Sequence, residues 1–119
     1  SKHVFELMQP KIGELQHEEF WILYLNNSNA IIQTLQLSKG GITGTLVDVR
    51  LTLKKALELN ATALILVHNH PSGTLIASEA DKEITNKIKN AGAGMDIKLL
   101  DHLIVTEKSY FSFADEGLL

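Results

Sequence analysis

Hydrophobic and polar positions along the first third of the chain predict one helix and one β-hairpin. Apolar residues recur at helical spacing over residues 4–16, a stretch that Pro10 and Gly13 would bend or interrupt. Residues 20–25 are aromatic and β-branched, four turn-forming polar residues follow, and residues 30–37 are again rich in apolar positions. The pattern therefore predicts a helix followed by two paired strands.

Helices and strands alternate in the rest of the chain. Apolar spacing predicts a helix over residues 48–59, with Asp48 near its positive end, and an amphipathic helix over residues 78–90 that Gly92 terminates. Residues 63–67 are continuously apolar, as in a strand that is buried on both faces. The remaining strands are predicted at residues 96–105 and 110–113. This order favours an α/β sandwich over a helical bundle or an all-β barrel.

Length and composition limit the class of protein. A chain of 119 residues with 45% hydrophobic and 21% charged residues fits one globular domain that folds over its whole length. Its net charge of -3 provides no broad positive surface, so strong nucleic-acid binding by this chain alone is disfavoured. Because it has no cysteine, any metal must be held by histidine and carboxylate side chains.

The apolar runs and the first residue of the chain bear on its cellular location and on whether it is a fragment. It has no apolar run of about 20 residues, and its N-terminus lacks the order of a signal peptide, so we expect a cytoplasmic location. It begins at Ser1 rather than at a methionine. We therefore expect a fragment of a longer protein.

The segment after the central strand has the spacing of a metal site. Residues two apart in an extended chain point to the same side, so His68 and His70 can face one ion while Asn69 faces away. A Pro-Ser-Gly turn then bends the chain, and the next helix can bring Asp81 back over the strand end. These residues predict a site with two nitrogen ligands and one oxygen ligand.

Three protein ligands are typical of catalytic zinc, because the fourth position of the tetrahedron stays open to water. Such a water loses a proton near neutral pH, and a carboxylate that does not bind the metal usually accepts it. Glu18, just before the first strand, is the candidate for that general base.

Each of these residues also has a plain structural interpretation. Ser78 and Asp81 have the spacing of a helix capping box, and Glu18, next to Glu19, could be a solvated charge. Two histidines at a strand end can be ordinary turn residues. These interpretations are independent of one another, whereas a metal site accounts for all the residues together.

Other polar groups are expected to have lesser roles. Asp101 and His102 are neighbours on a predicted strand and point to opposite faces, so we expect them to be structural or to support a metal-bound histidine from behind. His3 and His17 are expected on the surface. The segment Lys39-Gly40-Gly41-Ile42-Thr43-Gly44 lacks the ending of a phosphate-binding loop and is expected to be a mobile loop at the rim of the site.

Taken together, these residues resemble the JAMM signature of the JAB/MPN metalloprotease superfamily, and its RadC-like branch in particular. The residues that match run from about position 18 to the end: Glu18, His68-Asn69-His70-Pro71-Ser72-Gly73, Ser78, Asp81, the stretch 55–61 and Leu100-Asp101-His102-Leu103. The chain departs from the branch at Val47-Asp48, where a His-Pro pair is common, and at residues 74–77, where a proline-rich turn is usual. Neither departure removes a ligand.

The resemblance implies a fold and a set of roles. The fold would be the single-domain JAB/MPN sandwich, similar to that of cytidine deaminases, with a mixed central sheet flanked by helices. His68, His70 and Asp81 would bind one zinc ion, Glu18 would act as general acid and base, and Ser78 would support the bound water or the oxyanion. RadC-like proteins usually also have an N-terminal helix-hairpin-helix region, which this chain lacks.

Two classes of function follow from the resemblance. The first is a zinc-dependent hydrolase of amide bonds with a peptide or isopeptide substrate, as in other members of the superfamily. The second is a non-catalytic, metal-bearing or DNA-associated module, since RadC-like proteins are traditionally labelled as DNA repair proteins. A phosphodiesterase is a third possibility. The sequence does not name the substrate or the oligomeric state.

Overall fold

The structure, a computed structural model of the chain, describes residues 1–39 and 47–119, without the side chains of Ser38 and Lys39. Three helices and five strands lie in the described part, and their order confirms the predicted α/β class. The elements are α1 (Lys2–Ile12), β1 (Glu19–Leu25), β2 (Ile31–Lys39), α2 (Val49–Glu58), β3 (Ala63–Asn69), α3 (Glu79–Ala93), β4 (Lys98–Val105) and β5 (Tyr110–Ser112).

The strands form one mixed sheet in the order β2-β1-β3-β4-β5. Strand β3 pairs in antiparallel with β1 and in parallel with β4, while β1 with β2 and β4 with β5 are antiparallel. Every residue of β3 is buried, as predicted for a strand covered on both faces. His68 therefore lies in the middle of the sheet, opposite Phe20 of β1 and Ile104 of β4.

Helices cover both faces of the sheet, which makes the domain a three-layer sandwich. Apolar residues of α2 and α3 pack on one face, and those of α1 pack on the other. The first cluster includes Phe20, Ile22, Leu53, Ala56, Leu66, Ile84 and Ile88, and the second includes Val4, Met8, Ile12, Leu23, Val67 and Leu103. The periodicity of each helix thus corresponds to the face that it buries. Within the described residues, no helix has both the length and the apolar character to cross a bilayer.

Two helix ends differ from the prediction. Helix α1 stops at Ile12 rather than at residue 16, with Pro10 inside its last turn and Gly13 as its C-cap. Helix α3 continues through Gly92, so the prediction that Gly92 terminates it was wrong; Gly94 is the C-cap. A β-carbon at position 92 would lie 2.5 Å from the carbonyl oxygen of Ile97, so this glycine allows a close approach of two backbones.

Strand ends and one loop also need correction. Strand β3 extends through Asn69, two residues beyond its predicted end, because its pairing with β1 continues through His68 and its pairing with β4 through Asn69. Strand β4 begins at Lys98 because Asp96 has a φ of 57° and lies in a turn. Lys39 ends β2, and the rest of the predicted glycine-rich loop, residues 40–44, lies outside the described residues.

Candidate metal centre

The two histidines lie at the end of the central strand. His68 is near the end of β3 and His70 directly follows it, held there by a hydrogen bond from its backbone N–H to the carbonyl of Val105. Their Nε2 atoms are 3.0 Å apart. Asn69 points to the other side, as the alternation of an extended chain requires.

Asp81, in the first turn of α3, completes the group. Its Oδ1 lies 3.2 Å from Nε2 of His68, and its Oδ2 lies 3.4 Å from Nε2 of His70. The side chains of His68 and Asp81 are buried, and that of His70 is nearly so, with 11% exposed. One atom from each of the three residues lies within 4.8 Å of the other two, so the group could hold a metal ion.

The capping box predicted at the start of α3 is present and does not compete with this arrangement. The hydroxyl of Ser78 accepts a hydrogen bond from the N–H of Asp81, and Oδ2 of Asp81 accepts one from the N–H of Ser78. The same cap fixes the Asp81 side chain, so that its carboxylate faces the two imidazoles. The structural and the metal-site interpretations of this pair are therefore compatible.

A backbone carbonyl determines which ring nitrogen of His70 carries hydrogen. Nδ1 of His70 lies 2.9 Å from the carbonyl oxygen of Thr74. A carbonyl can only accept, so Nδ1 is the donor and Nε2 of the neutral ring has a lone pair. That lone pair faces the Asp81 carboxylate. Because two acceptors that face each other repel, this geometry favours a cation between them.

The charges at the site also favour a cation between Asp81 and the two histidine rings. Burial alone would raise the pKa of Asp81, but hydrogen bonds from the His68 and His70 rings, which form when Nε2 carries a proton in place of a cation, outweigh it and hold the pKa well below its usual range. Burial would likewise lower the pKa of His70, whereas its bonds to Asp81 and the Thr74 carbonyl, with the negative charge of Asp81, raise it. Asp81 is therefore ionised at neutral pH and attracts positive charge to the two rings.

His102 lies directly behind His68, as expected for a residue that supports a metal-binding histidine. Its Nε2 is 2.8 Å from Nδ1 of His68, and its Nδ1 is 2.6 Å from the hydroxyl oxygen of Thr85. Burial lowers the pKa of His102 well below its usual value, and the neighbouring histidines lower it further. Sequence reasoning missed Thr85, although its position four residues after Asp81 places both on one face of α3.

Glu18, the predicted general base, lies in the segment that enters β1. The carboxamide of Asn69 binds that segment on both sides of Glu18, accepting from the N–H of Glu19 at 2.7 Å and donating to the carbonyl of His17 at 2.9 Å. The charge of Glu18 also contributes to the raised pKa of His70. Glu18, which the sequence analysis proposed as the general base, is thus within electrostatic range of His70.

Asp101, His3 and His17 lie outside the group of candidate ligands. Asp101 points away from the three candidate ligands and accepts hydrogen bonds from the Ser112 hydroxyl at 2.6 Å and the Ala114 N–H at 3.0 Å. His3 is exposed as predicted. His17 is only partly exposed, because its Nε2 lies 2.9 Å from a carboxylate oxygen of Glu19.

A cleft of about 700 Å³ adjoins the turn that follows His70. Its wall includes the turn itself and two further loops, one after α1 and one between β4 and β5. None of the three candidate ligands lines it. The lining residues include Gly13, Gln16, Pro71, Gly73, Glu107 and Lys108.

Comparison with known proteins places these features in a family. The RadC-like JAB domain matches residues 1–118. A UPF0758 protein of Flavobacterium johnsoniae is 65% identical over 118 residues, which are 99% of this chain and 52% of that protein. The UPF0758 protein YfjY of Escherichia coli is 47% identical over 109 residues, which are 92% of this chain and 68% of that protein.

The chain therefore belongs to the RadC-like JAB domain family, and its mixed five-stranded sheet with three helices in the described part is consistent with the JAB/MPN fold. A UPF0758 protein of Porphyromonas gingivalis is 45% identical over 120 aligned positions, which cover 100% of this chain and 53% of that protein. The chain thus spans about half the length of the Flavobacterium johnsoniae and Porphyromonas gingivalis relatives.

Proposed function

We propose that this chain is a zinc-dependent hydrolase domain that cleaves amide bonds in a peptide or isopeptide substrate. The observation that supports it best is the convergence of His68, His70 and Asp81 at the end of the central strand. Membership of the RadC-like JAB family agrees with this chemistry.

The separations within the group suit zinc. A tetrahedral ion at 2.0–2.1 Å from nitrogen and oxygen ligands holds those atoms roughly 3.3–3.4 Å apart. The corresponding distances here are 3.0 Å between the two histidine nitrogens, and 3.2 and 3.4 Å from these nitrogens to the carboxylate oxygens. Histidine and carboxylate ligands without cysteine are also the set found in many catalytic zinc sites. His68, His70 and Asp81 would therefore hold the ion.

The proposed reaction assigns one task to each nearby side chain. A zinc ion held by His68, His70 and Asp81 would lower the pKa of a bound water to about 7 and would polarise the substrate carbonyl. Glu18 accepts a proton from the attacking water and delivers it to the leaving amine. Ser78 lies next to Asp81, and its hydroxyl, which already accepts from the Asp81 N–H, can donate its own hydrogen to the developing oxyanion.

The cleft beside the turn after His70 is the proposed place for the substrate chain. A volume of about 700 Å³ is within the range of ligand sites in proteins. The cleft has Glu107 and Lys108 on one wall and the Pro71–Gly73 turn on another, so a bound peptide would lie against the loop that continues from the metal ligands.

The experiment that tests this function compares Glu18→Gln with Glu58→Gln, an exposed glutamate at the end of α2 that lies outside the cleft. Zinc content and cleavage of a library of peptide and isopeptide substrates would be measured for both. We expect Glu18→Gln to keep its zinc and to lose about 10²- to 10⁴-fold in turnover, the usual contribution of a general base. Equal turnover in the two variants would reject the mechanism. A DNA affinity that survives removal of zinc, with no zinc-dependent cleavage, would favour a DNA-associated module instead.

A further inference from the structure

A chain of three hydrogen bonds connects the backbone of Asp81 to the ring of His68. It begins at the Thr85 hydroxyl, whose oxygen is 2.6 Å from the carbonyl oxygen of Asp81 and 2.6 Å from Nδ1 of His102. A hydroxyl has one hydrogen, and a carbonyl can only accept. The hydrogen of Thr85 therefore goes to Asp81, and the Thr85 oxygen must accept from Nδ1 of His102.

The direction of this first bond determines the other two. With its hydrogen on Nδ1, the neutral ring of His102 has a lone pair on Nε2. Nδ1 of His68 lies 2.8 Å from that lone pair and must be the donor. A neutral His68 with its hydrogen on Nδ1 then has its own lone pair on Nε2, the atom that faces His70 and Asp81.

The packing around His102 prevents its ring from rotating and breaking these hydrogen bonds. The ring is fully buried and stacks on Phe113, with centroids 4.7 Å apart and planes 13° apart. Phe20 contacts it edge-on at 5.7 Å and also stacks on His68 at 5.8 Å. Rotation of the His102 ring would exchange nitrogen for carbon at both hydrogen bonds and leave buried polar atoms without partners, which is costly.

We propose that Thr85 and His102 are positioning residues that select the Nδ1–H tautomer of His68 and so direct its Nε2 lone pair at the metal position. The hydrogen bond that sets the direction of the others runs from the Thr85 hydroxyl to the carbonyl of Asp81. The helical turn that supplies Asp81 as a candidate ligand therefore also sets the tautomer of His68, the ligand that Asp81 faces. The consequence for metal binding rests on the proposed zinc site. The tautomer itself does not depend on it.

The variants that test this proposal change one hydroxyl at a time. Thr85→Val removes the acceptor for His102 with little change in shape, and Thr85→Ser restores it. Thr52→Val is the matched control, because Thr52 is also buried and also donates to the carbonyl four residues earlier in its own helix. That hydroxyl is bonded to Asp48 and lies outside the chain of bonds to His68.

The first readout is the protonation of the ring nitrogens in the metal-free protein, from long-range proton–nitrogen correlation NMR. We expect Nδ1 of His68 and Nδ1 of His102 to be protonated and Nε2 of His102 to be unprotonated. A hydrogen on Nε2 of His102 in place of Nδ1 would overturn the proposal. This readout is obtained without zinc, so it stands even if the proposed function fails.

The second readout is zinc affinity, measured by competition with a chelator of known strength. Loss of a residue that orients a metal-binding histidine typically weakens binding about 10- to 100-fold. We expect that loss in Thr85→Val, together with a changed protonation of His102, and near-unaltered affinity in Thr85→Ser and Thr52→Val. Equal affinity of Thr85→Val and Thr52→Val would show that Thr85 only fills space and would overturn the proposal.

Discussion

The side chain of Asn69 binds the backbone on both sides of Glu18. Its carboxamide accepts from the N–H of Glu19 and donates to the carbonyl of His17, at 2.7 and 2.9 Å. The residue between the two histidines thus connects the end of β3 to the segment that holds the proposed general base. The spacing of His68 and His70 requires some residue there, and an asparagine can make both bonds at once.

Replacement of Asn69 by leucine, which has a similar size, should therefore separate catalysis from metal binding. We expect zinc to be retained and the free energy of unfolding to fall by about 1–3 kcal/mol, because two buried backbone groups lose their partner. Turnover should fall by more than the loss of folded protein accounts for, because the backbone on both sides of Glu18 is no longer held in place. Denaturant unfolding, zinc analysis and the cleavage assay measure these effects. Asn90→Leu, at an exposed position of α3, serves as the control, and an equally small effect in both variants would contradict the role of Asn69.

The two glycines near the end of α3 should respond to alanine in opposite directions. A β-carbon at Gly92 would lie 2.5 Å from the Ile97 carbonyl, so Gly92→Ala should lower the free energy of unfolding by about 1–3 kcal/mol despite the higher helix propensity of alanine. At Gly94 the nearest atom is 3.9 Å away and φ is -68°, so Gly94→Ala should stabilise by about 0.4–1 kcal/mol. Thermal or denaturant unfolding distinguishes them, and equal effects would show that the two backbones can separate at little cost.

Asp101 should prove to be a structural residue and not a metal ligand. Its carboxylate accepts from the Ser112 hydroxyl and from the backbone N–H groups of His102 and Ala114, which attaches the last turn of the chain to β4. Asp101→Asn should therefore destabilise the fold by about 1–3 kcal/mol and leave zinc stoichiometry unchanged. Elemental analysis of Asp101→Asn beside Asp81→Asn tests this. Loss of zinc to the same extent in both variants would assign Asp101 to the metal site.

Much of the fold could be predicted because its helices and strands bury faces whose periodicity is visible in the sequence. Ile84 and Ile88 mark the buried face of α3, and the apolar run before His68 marks the central strand. Element ends were less predictable because they depend on contacts with distant residues. The sequence pattern predicted that Gly92 terminates the helix. The structure shows instead that a glycine is needed there because the Ile97 carbonyl lies too close for a β-carbon.

The candidate ligands could be predicted for a related reason. The alternation of an extended strand places His68 and His70 together, and the following helix is close enough to return Asp81. The supporting residues could not be found in this way. Thr85 acts through the carbonyl of its own helix and a ring from β4, and Asn69 acts through backbone atoms of a segment about 50 residues earlier in the chain. A sequence pattern does not record such backbone partners.

The most direct test of the proposed metal centre is the zinc content of His70→Ala and His3→Ala, prepared without chelator and compared with the unaltered chain. His70 follows the end of β3 outside the apolar clusters and His3 is exposed on α1, so neither change removes a large part of the core. We expect one zinc per chain in the unaltered protein and in His3→Ala, and little or none in His70→Ala, because a site with two ligands holds zinc weakly. Equal zinc in the two variants, or no zinc in the unaltered chain, would contradict the account.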